Sequence, residues 1–335
     1  MRVLLTGGTG YIGSHVAVKL IESRHEVVII DNLSNSKISV LDRIKKITGI
    51  KPVFDNIDMC DESLLLGFIQ SHSFDSVIHL AGYKAVAESV SDPHKYYANN
   101  IMSALNLCKA MKMGAVTNIV FSSSATVYGH NPNVPYYENY PISTLNPYGR
   151  TKAFIEEILK DVVASNDSLN VTTLRYFNPV GAHPTGLLGE DPNGTPNNLM
   201  PIIGRVAKGI ITKLQVFGND YSTLDGTCVR DYIHIMDLAD AHVKALEKMS
   251  TSNGFDVYNV GTGIGTSVLN LIHTFEKVNN IKIEYEVVGR RPGDVAVCYA
   301  NANKAMMMLG WKAIYNLQDM CRDEWNWQQN QDLIS

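Results

Sequence analysis

The feature that most constrains the fold is a glycine-rich turn close to the start of the chain. The apolar run Val3–Thr6 leads directly into Gly7–Gly13, which has the sequence Gly-Gly-Thr-Gly-Tyr-Ile-Gly, and a helical pattern follows over Tyr11–Ser23. Glycine at every third position lets the turn tighten and the backbone approach a pyrophosphate at the positive N-terminus of the helix. The turn therefore predicts a dinucleotide-binding unit, with Gly7, Gly10 and Gly13 among its contacts.

A carboxylate at the end of the second predicted strand narrows the choice of dinucleotide. Glu26–Ile30 has the pattern of a buried strand, and Asp31 follows it directly. An acidic residue at this place accepts hydrogen bonds from the adenosine ribose. A 2′-phosphate would face the same carboxylate, so the sequence favours NAD over NADP.

Short apolar runs alternate with helical patterns through the first half of the chain. The runs are apolar almost throughout, as expected of parallel strands that are buried on both faces. Beyond the first two, the predicted strands are Ser76–Leu80, Asn118–Phe121 and Val171–Leu174. The predicted helices are Tyr11–Ser23, Asp61–Ser71, Asp92–Met113 and Pro147–Ser165. This alternation predicts an α/β fold with a doubly wound, Rossmann-like parallel sheet.

The composition of the chain changes after Asn178. Residues 178–201 are dense in Pro, Gly and Asn, which predicts loops that wrap a ligand. A strand and helix over Tyr232–Lys248 and a strand over Val257–Val260 predict a return to the first domain. We therefore expect a first domain of 1–177 plus about 231–262. A smaller, discontinuous α/β substrate domain is expected from 178–230 and 263–335.

Charge and cysteine usage exclude several classes of function. A net charge of −4 provides no field that would attract nucleic acid or an anionic membrane. The longest aliphatic runs, such as Val27–Ile30, are too short to cross a bilayer. The five cysteines are scattered and form no Cys-x-x-Cys pair, so we expect neither a disulfide framework nor a metal site. With no apolar signal segment before the first strand, the sequence predicts a cytoplasmic protein.

Two side chains at helical spacing predict the chemistry. Asn146 can cap a helix that Pro147 opens, which places Tyr148 in the first turn and Lys152 on the same face. A tyrosine loses its proton near pH 10, but a nearby ammonium and a positive nicotinamide ring favour the phenolate and lower that pKa. Tyr148 is thus the candidate general base. The alternative is an exposed Tyr and Lys on an amphipathic helix.

A run of hydroxyls, Ser122–Ser124, ends a predicted strand at the carboxyl edge of the sheet, where open α/β sheets bind their ligands. One of these serines can share the proton of a substrate hydroxyl with Tyr148. The alternative is a run of serines that only caps the following turn.

Four longer stretches accompany these motifs: Arg175–Pro184, Gly189–Pro192, Pro196–Pro201 and Arg230–His234. Together they make the chain resemble the UDP-glucose/UDP-galactose 4-epimerases of the extended short-chain dehydrogenase/reductase superfamily over nearly its whole length. The resemblance implies NAD as the cofactor, a UDP-sugar as the substrate and a homodimer. The dimer would form through the helices Asp92–Met113 and Pro147–Ser165, whose apolar faces could instead be buried within one monomer.

The resemblance also implies roles for individual residues. Ser124 and Tyr148 bind the sugar 4-hydroxyl, while Lys152 tunes Tyr148 and holds the nicotinamide ribose. The implied NAD contacts beyond the glycines are Tyr11, Ile12, Asp31, Asn32, Asn35, Ser36, Asp58, Met59, Ala81, Lys84, Asn99 and Tyr176. The implied contacts to the sugar nucleotide are Asn178, Asn198, Leu199, Phe217, Arg230, Tyr232, Arg291 and Asp294. A guanidinium suits a pyrophosphate because it can donate to two oxygens at once.

The implied reaction is an oxidation followed by a reduction at the same carbon. Tyr148 takes the 4-hydroxyl proton while C4 passes a hydride to NAD, and the 4-keto sugar turns in the pocket before the hydride returns. The sugar nucleotide must stay bound meanwhile, so most of its affinity should come from groups remote from C4. NAD is then a prosthetic group.

Two positions bear on the substrate. Where family members of narrow specificity carry a tyrosine beside the sugar 2-substituent, this chain has Cys298, so we expect N-acetylated hexoses to be accepted too. The alternative is that Cys298 is only a small buried apolar residue and that other side chains close the gap. Where related dehydratases carry an Asp-Glu pair, this chain has Ala125 and Thr126, and the elimination lacks its acid and base.

Two other functions stay open from sequence. A UDP-glucuronate 4-epimerase would need a cation for the 6-carboxylate, which the sequence does not locate. A non-catalytic NAD-sensing protein on the same fold would not require Tyr148, Lys152 and Ser124 together, and all three are present.

Overall fold

The computed structural model describes residues 1–166, 168–194, 196, 198–249, 254–291 and 293–331. In chain order the strands are β1 (Arg2–Thr6), β2 (Glu26–Asp31), β3 (Val53–Asn56), β4 (Ser76–His79), β5 (Asn118–Ser122), β6 (Asn170–Tyr176), β7 (Asn178–Val180), β8 (Leu214–Phe217), β9 (Val229–Arg230), β10 (Tyr232–His234), β11 (Gly254–Val260), β12 (Thr266–Ser267), β13 (Tyr285–Val288) and β14 (Val297–Cys298).

The helices alternate with these strands. They are α1 (Tyr11–Glu22), α2 (Val40–Thr48), α3 (Glu62–Ser71), α4 (Val86–Ser91), α5 (Pro93–Met113), α6 (Pro147–Ala164), α7 (Leu199–Ala207), α8 (Ile235–Lys248), α9 (Val268–Asn279), α10 (Asn303–Leu309) and α11 (Leu317–Asn330), with a 3₁₀ turn at Ala125–Tyr128.

Seven parallel strands form the central sheet in the order β11-β6-β5-β4-β1-β2-β3. Side chains of alternating strand residues point to opposite faces. Leu5 and Ile29 therefore enter a core with α1, α2 and α8, whereas Leu4 and Val28 enter a second core with α3, α5 and α6. Because both faces are covered by helices, the middle residues of β1, β2, β4 and β5 are apolar. The predicted doubly wound α/β fold is confirmed.

The predicted strands and helices of the first half are present, with ends that differ by at most two residues. The sequence did not indicate β3, an edge strand whose half-exposed residues form no apolar run, or α2. The prediction of loops throughout 178–201 was wrong at both ends. β7 occupies its start because Asn178 pairs with the distant Tyr232, and α7 begins at Leu199. Residues 195 and 197 lie outside the described part.

Three small sheets lie apart from the central one: β7 with β10, β8 with β13, and β9 between β12 and β14. Apolar residues of the first two pack with α7, α9 and α11 in a separate core, whereas Cys298 of β14 packs against a different cluster, which contains Tyr136 and Phe177. β11 returns to the central sheet beside β6, with Val260 opposite Tyr176.

From this topology we propose the domain division that the sequence predicts, 1–177 with about 231–262 and 178–230 with 263–335; residues 332–335 are outside the described part. Within the described ranges, no helix is both long and apolar enough to cross a membrane.

Candidate active site

The glycine turn between β1 and α1 packs against neighbouring backbone so closely that Gly7 and Gly13 have no room for a side chain. Gly7 has φ of +71°, in the left-handed region that favours glycine. A Cβ on Gly7 would stand 2.8 Å from Ala81 N, and one on Gly13 only 2.2 Å from Gly7 O. No side chain caps α1 at Gly10, so the amides of its first turn remain available to an anion. This cradle fits the pyrophosphate of a dinucleotide.

Asp31, at the end of β2, joins the glycine turn to the loop that follows the strand. Its Oδ2 accepts a hydrogen bond from Thr9 N at 3.2 Å, and its Oδ1 accepts from Leu33 N at 2.9 Å and Ser36 Oγ at 3.3 Å. Asn32 in the same loop donates to Asp58 at 3.1 Å. The structure thus brings together several residues predicted on the adenosine side.

The loop after β4 approaches the same turn from the other side. Ala81 N donates to Thr6 Oγ1 at 3.3 Å, and the ammonium of Lys84 lies 5.9 Å from the centre of the Tyr11 ring. Tyr11 itself donates to Gly181 O at 2.6 Å. Of the other predicted NAD contacts, Met59 is buried and Ile12 packs against the core that contains α1, α2 and α8. The side-chain amide of Asn99 donates to Asn100 Oδ1 at 3.0 Å.

Tyr148, Lys152 and Ser124 lie together at the carboxyl edge of the sheet. Asn146 caps α6 by accepting from Gly149 N at 2.8 Å, which places Tyr148 in the first turn as predicted. The side chains of Ser124 and Tyr176 both influence the pKa of the Tyr148 hydroxyl. All of these side chains are at least nine-tenths buried. The contact between Tyr148 and Tyr176 was not predicted from sequence.

The electrostatics of this group differ from the sequence expectation. Burial raises the pKa of Tyr148 well above 10, while the hydrogen bond from Ser124 acts in the opposite direction. The Nζ of Lys152 donates its hydrogen bond to Ser122 O at 2.7 Å, so Lys152 acts on Tyr148 through its charge rather than through a hydrogen bond. Burial lowers the pKa of Lys152 to about 8, and the carboxylate of Glu156 opposes that shift.

Sequence reasoning missed a buried ion pair behind these residues. Glu156 Oε1 accepts from Ser123 Oγ at 2.6 Å and from Arg175 Nε at 3.0 Å, and Oε2 accepts from Arg175 Nη2 at 2.6 Å. Both charged side chains are almost fully buried. The pair holds α6 against the strand ends that carry Ser124 and Tyr176. The available signal in the sequence was Glu156, a carboxylate one helical turn after Lys152.

A second group of predicted residues meets on the small sheets. The carboxylate of Asp294 accepts from Arg230 Nη2 at 3.4 Å and from Arg291 Nη2 at 3.0 Å. The Arg291 guanidinium also lies 5.4 Å from the centre of the Phe217 ring. Arg230 Nη1 is already engaged by the carbonyl oxygens of Val229 and Val295. Two cations, one anion and a half-exposed aromatic ring therefore share one surface.

Cys298 lies between the two groups. Its strand, β14, places it opposite Arg230, and its side chain packs against the cluster that contains Tyr136. Burial raises the pKa of Cys298 to about 11, so the thiol is neutral near pH 7. Tyr136 in turn packs edge-on against Tyr128, beside the catalytic group.

The remaining predicted substrate contacts lie around these groups. Tyr232 is buried opposite the exposed Asn178, Leu199 opens α7, and Asn198 donates to Glu190 at 2.8 Å. In the part of the chain that the structure describes, no three His, Cys, Asp or Glu side chains are placed to share a metal ion.

A glycine cradle at the N-terminus of α1, joined at one sheet edge by a buried Tyr, Lys and Ser, defines a dinucleotide-dependent enzyme of the short-chain dehydrogenase/reductase class. The family model described as "NAD dependent epimerase/dehydratase family" matches residues 3–261. A UDP-glucose 4-epimerase of Bacillus subtilis (strain 168) is 52% identical over 98% of this chain and 97% of its own length. The chain belongs to the NAD dependent epimerase/dehydratase family and, within it, to the UDP-glucose 4-epimerases.

Solved structures agree over the whole chain. The UDP-glucose-4-epimerase of Stenotrophomonas maltophila, with bound NAD and formylated UDP-arabinopyranose, has a TM-score of 0.98 at 48% identity and 100% coverage of both chains. The UDP-glucose 4-epimerase of Bifidobacterium longum, in complex with NAD⁺ and UDP, has a TM-score of 0.96 at 47% identity and 99% coverage of both. The predicted resemblance is confirmed.

Proposed function

We propose that this protein interconverts UDP-glucose and UDP-galactose by inverting C4 of the hexose, with Tyr148 as the base. The observation that carries the proposal is the buried Tyr148–Ser124 pair beside Lys152, on the edge of the sheet that also holds the glycine cradle. When bound, NAD supplies a hydride acceptor at C4 and a positive charge that favours a nearby phenolate. Its pyrophosphate would lie on Gly7–Gly13 and its adenosine ribose near Asp31.

The catalytic residues move and hold one proton. Tyr148 takes the proton of the sugar 4-hydroxyl, and Ser124 bonds both that hydroxyl and the phenol. The Lys152 ammonium lies on the same helical face as Tyr148 and stabilises negative charge that develops there. Glu156 and Arg175 keep the helix and the strand end in register, so the phenol stays within reach of the proton.

The nucleotide is held apart from the reacting carbon. Arg230 and Arg291 suit the pyrophosphate, Asp294 a ribose diol, and Phe217 the face of a uracil. Phe217 and Arg230 lie on strands of the small sheets, and Arg291 and Asp294 lie in the loop between β13 and β14. Tyr148 instead lies in the first turn of α6, which packs against the central sheet. The hexose ring can therefore turn in its 4-keto form while the rest of the substrate stays bound.

We extend the proposal to N-acetylated hexoses because of Cys298. Its thiol is much smaller than a tyrosine ring and packs against the cluster that contains Tyr136, at the junction of the catalytic and nucleotide groups. Space beside C2 then admits an N-acetyl group. UDP-N-acetylglucosamine and UDP-N-acetylgalactosamine should be interconverted as well.

We also propose a homodimer through α5 and α6. These helices pack side by side, and Met102, Leu105 and Phe154 are each more than two-fifths exposed on their outer surface. The Phe154 ring stacks on Tyr97, with 6.2 Å between their centres. Adjoining exposed apolar side chains of this size mark an interaction surface.

Incubation of the purified protein with UDP-galactose, UDP-N-acetylgalactosamine and UDP-galacturonate in turn, with no NAD added, tests the function. We expect the first two to equilibrate with their C4 epimers and the third to remain unchanged. Conversion of UDP-galacturonate alone would favour the uronate epimerase instead. No conversion by protein that carries NAD would contradict catalysis altogether.

A further inference from the structure

Residues 190–193, which we term the strap, connect the substrate side of the molecule to the dinucleotide side. They lie between β7 and α7, yet most of their polar contacts are to loops of the central sheet. None of these contacts was predicted, and the strap contributes none of the side chains assigned to catalysis.

At one end, Glu190 contacts the loop after β4. Its carboxylate is only 5% exposed and accepts from Lys84 Nζ at 2.6 Å. The same carboxylate accepts from Asn198 Nδ2 at 2.8 and 3.0 Å. Glu190 therefore fixes one predicted NAD contact and one predicted substrate contact at once.

At the other end, the strap contacts the loop after β2 and the helix that follows it. Asp191 Oδ2 lies 2.8 Å from Lys37 Nζ and 3.9 Å from Arg43 Nη1. The backbone N–H of Asn193 donates to Asn35 Oδ1 at 3.1 Å. The side-chain amide of Asn193 donates to the backbone oxygen of Ser34 at 3.2 Å. This loop is the one that Asp31 organises.

The order of the strands shows what the strap must cross. β1 lies between β4 and β2 in the sheet. A segment bonded both to the loop after β4 and to the loop after β2 passes across the carboxyl end of β1. The glycine turn and the N-terminus of α1 lie at that end. The strap thus spans the cleft in which the dinucleotide would lie.

We infer that the strap retains NAD in its cleft, and that Glu190 and Asp191 are the positioning residues that set how slowly the cofactor leaves. The inference rests on the NAD site proposed above. For NAD to leave, the strap must separate from both loops, so contacts at its two ends have to break together. Local opening becomes rarer as the number of such contacts increases.

The test measures cofactor exchange rather than turnover. Protein loaded with radiolabelled NAD is mixed with excess unlabelled NAD, and the label that stays bound is followed over time. Asp191→Asn should speed release by roughly two- to fivefold, the worth of a partly exposed ion pair. Glu190→Gln should speed it further, because the Glu190 carboxylate is more deeply buried than that of Asp191. The matched control is Asp256→Asn, which removes an exposed ion pair between Asp256 and Lys304. Asp256 lies on β11, an edge strand of the sheet that the strap does not contact.

Two further measurements separate retention from a general loss of stability. Release from the wild type should accelerate with salt, because the Lys37–Asp191 pair is partly exposed and therefore screened, and Asp191→Asn should lose much of that dependence. Lys37→Met combined with Asp191→Asn should release NAD no faster than Asp191→Asn alone. If Glu190→Gln does not fold, Asn193→Ala, at an exposed position, replaces it.

Equal release from the wild type and from both strap variants would overturn the inference. So would equal acceleration by Asp256→Asn. A wild type that binds no NAD would instead contradict the proposed function itself. Bound NAD that both strap variants release at the wild-type rate would contradict only the role of the strap in retaining NAD.

Discussion

Tyr148 carries a buried hydroxyl between Ser124 and Tyr176, where it has no other evident use than proton transfer. Tyr148→Phe keeps the ring and removes the acceptor, so turnover should fall by about 10²–10⁴. Nucleotide affinity should hardly change, since we propose that Arg230 and Phe217 hold that end. Steady-state kinetics and UDP binding by calorimetry check both parts. Near wild-type turnover by Tyr148→Phe would show that Tyr148 is not the base.

The charge of Lys152 predicts an alkaline limit to activity. Burial lowers its pKa to about 8, with Glu156 opposing the shift and His79 facing it from β4. The side chain is charged below that pH and neutral above it. If its charge stabilises the phenolate, kcat/KM should decrease as pH rises through about 8. Lys152→Arg keeps a positive charge, so its residual activity should lack that decrease; the same profile in both proteins would assign the limit elsewhere.

Cys298 is the residue most particular to this chain. Cys298→Tyr should abolish turnover of the N-acetylated pair by filling the space beside C2, and should spare the plain hexoses. The test is to measure kcat/KM for the plain and the N-acetylated hexose pairs, with the wild type and with Cys298→Tyr. A wild type that ignores N-acetylated sugars, or a variant that loses both activities alike, would show that Cys298 is not the gate.

Local spacing predicted some of the site and missed the rest for a definite reason. Asn146, Tyr148 and Lys152 lie within two helical turns, so the period of a helix is sufficient to place them together. Glu156 finds Ser123 and Arg175 at separations of 33 and 19 residues. Only the packing of α6 on the sheet brings these three side chains into contact.

The cap of α6 links an element to the chemistry. Asn146→Ala removes the acceptor for Gly149 N and should cost about 1 kcal/mol of stability. Because Tyr148 lies in the turn that the cap orders, turnover should also fall. Asn316→Ala is the control, since Asn316 caps α11 away from the site. Thermal unfolding should show similar losses of stability for both variants. A similar fall in turnover for both would contradict a specific role of the α6 cap in catalysis.

Apart from β3 and α2, the main central elements could be predicted because each is a continuous apolar run or a clear helical period. The small sheets could not. β9, β12 and β14 are two residues long, and their partners come from distant parts of the chain. No local pattern marks a strand of that length, which is why the nucleotide-holding surface was reached through family resemblance alone.

The exposed apolar surface of α5 and α6 makes a prediction for the whole molecule. Phe154→Asp should convert a dimer into monomers, because a carboxylate would be buried in the contact. Met307→Asp is the control, on the exposed face of α10. Size-exclusion chromatography with light scattering gives the masses. A wild type that elutes as a monomer would contradict the dimer.

The span of residues 190–193 over the end of β1 has a consequence for how the reaction depends on its surroundings. Epimerisation oxidises and then reduces the same carbon, so it has no net demand for reducing equivalents. That balance holds only while one cofactor molecule stays for both halves; each escape between them would strand an oxidised sugar nucleotide. A cofactor that exchanges slowly therefore insulates the isomerisation from the redox state of its surroundings. Neighbouring dehydrogenases would respond to a shift in the dinucleotide pool, whereas this enzyme would not.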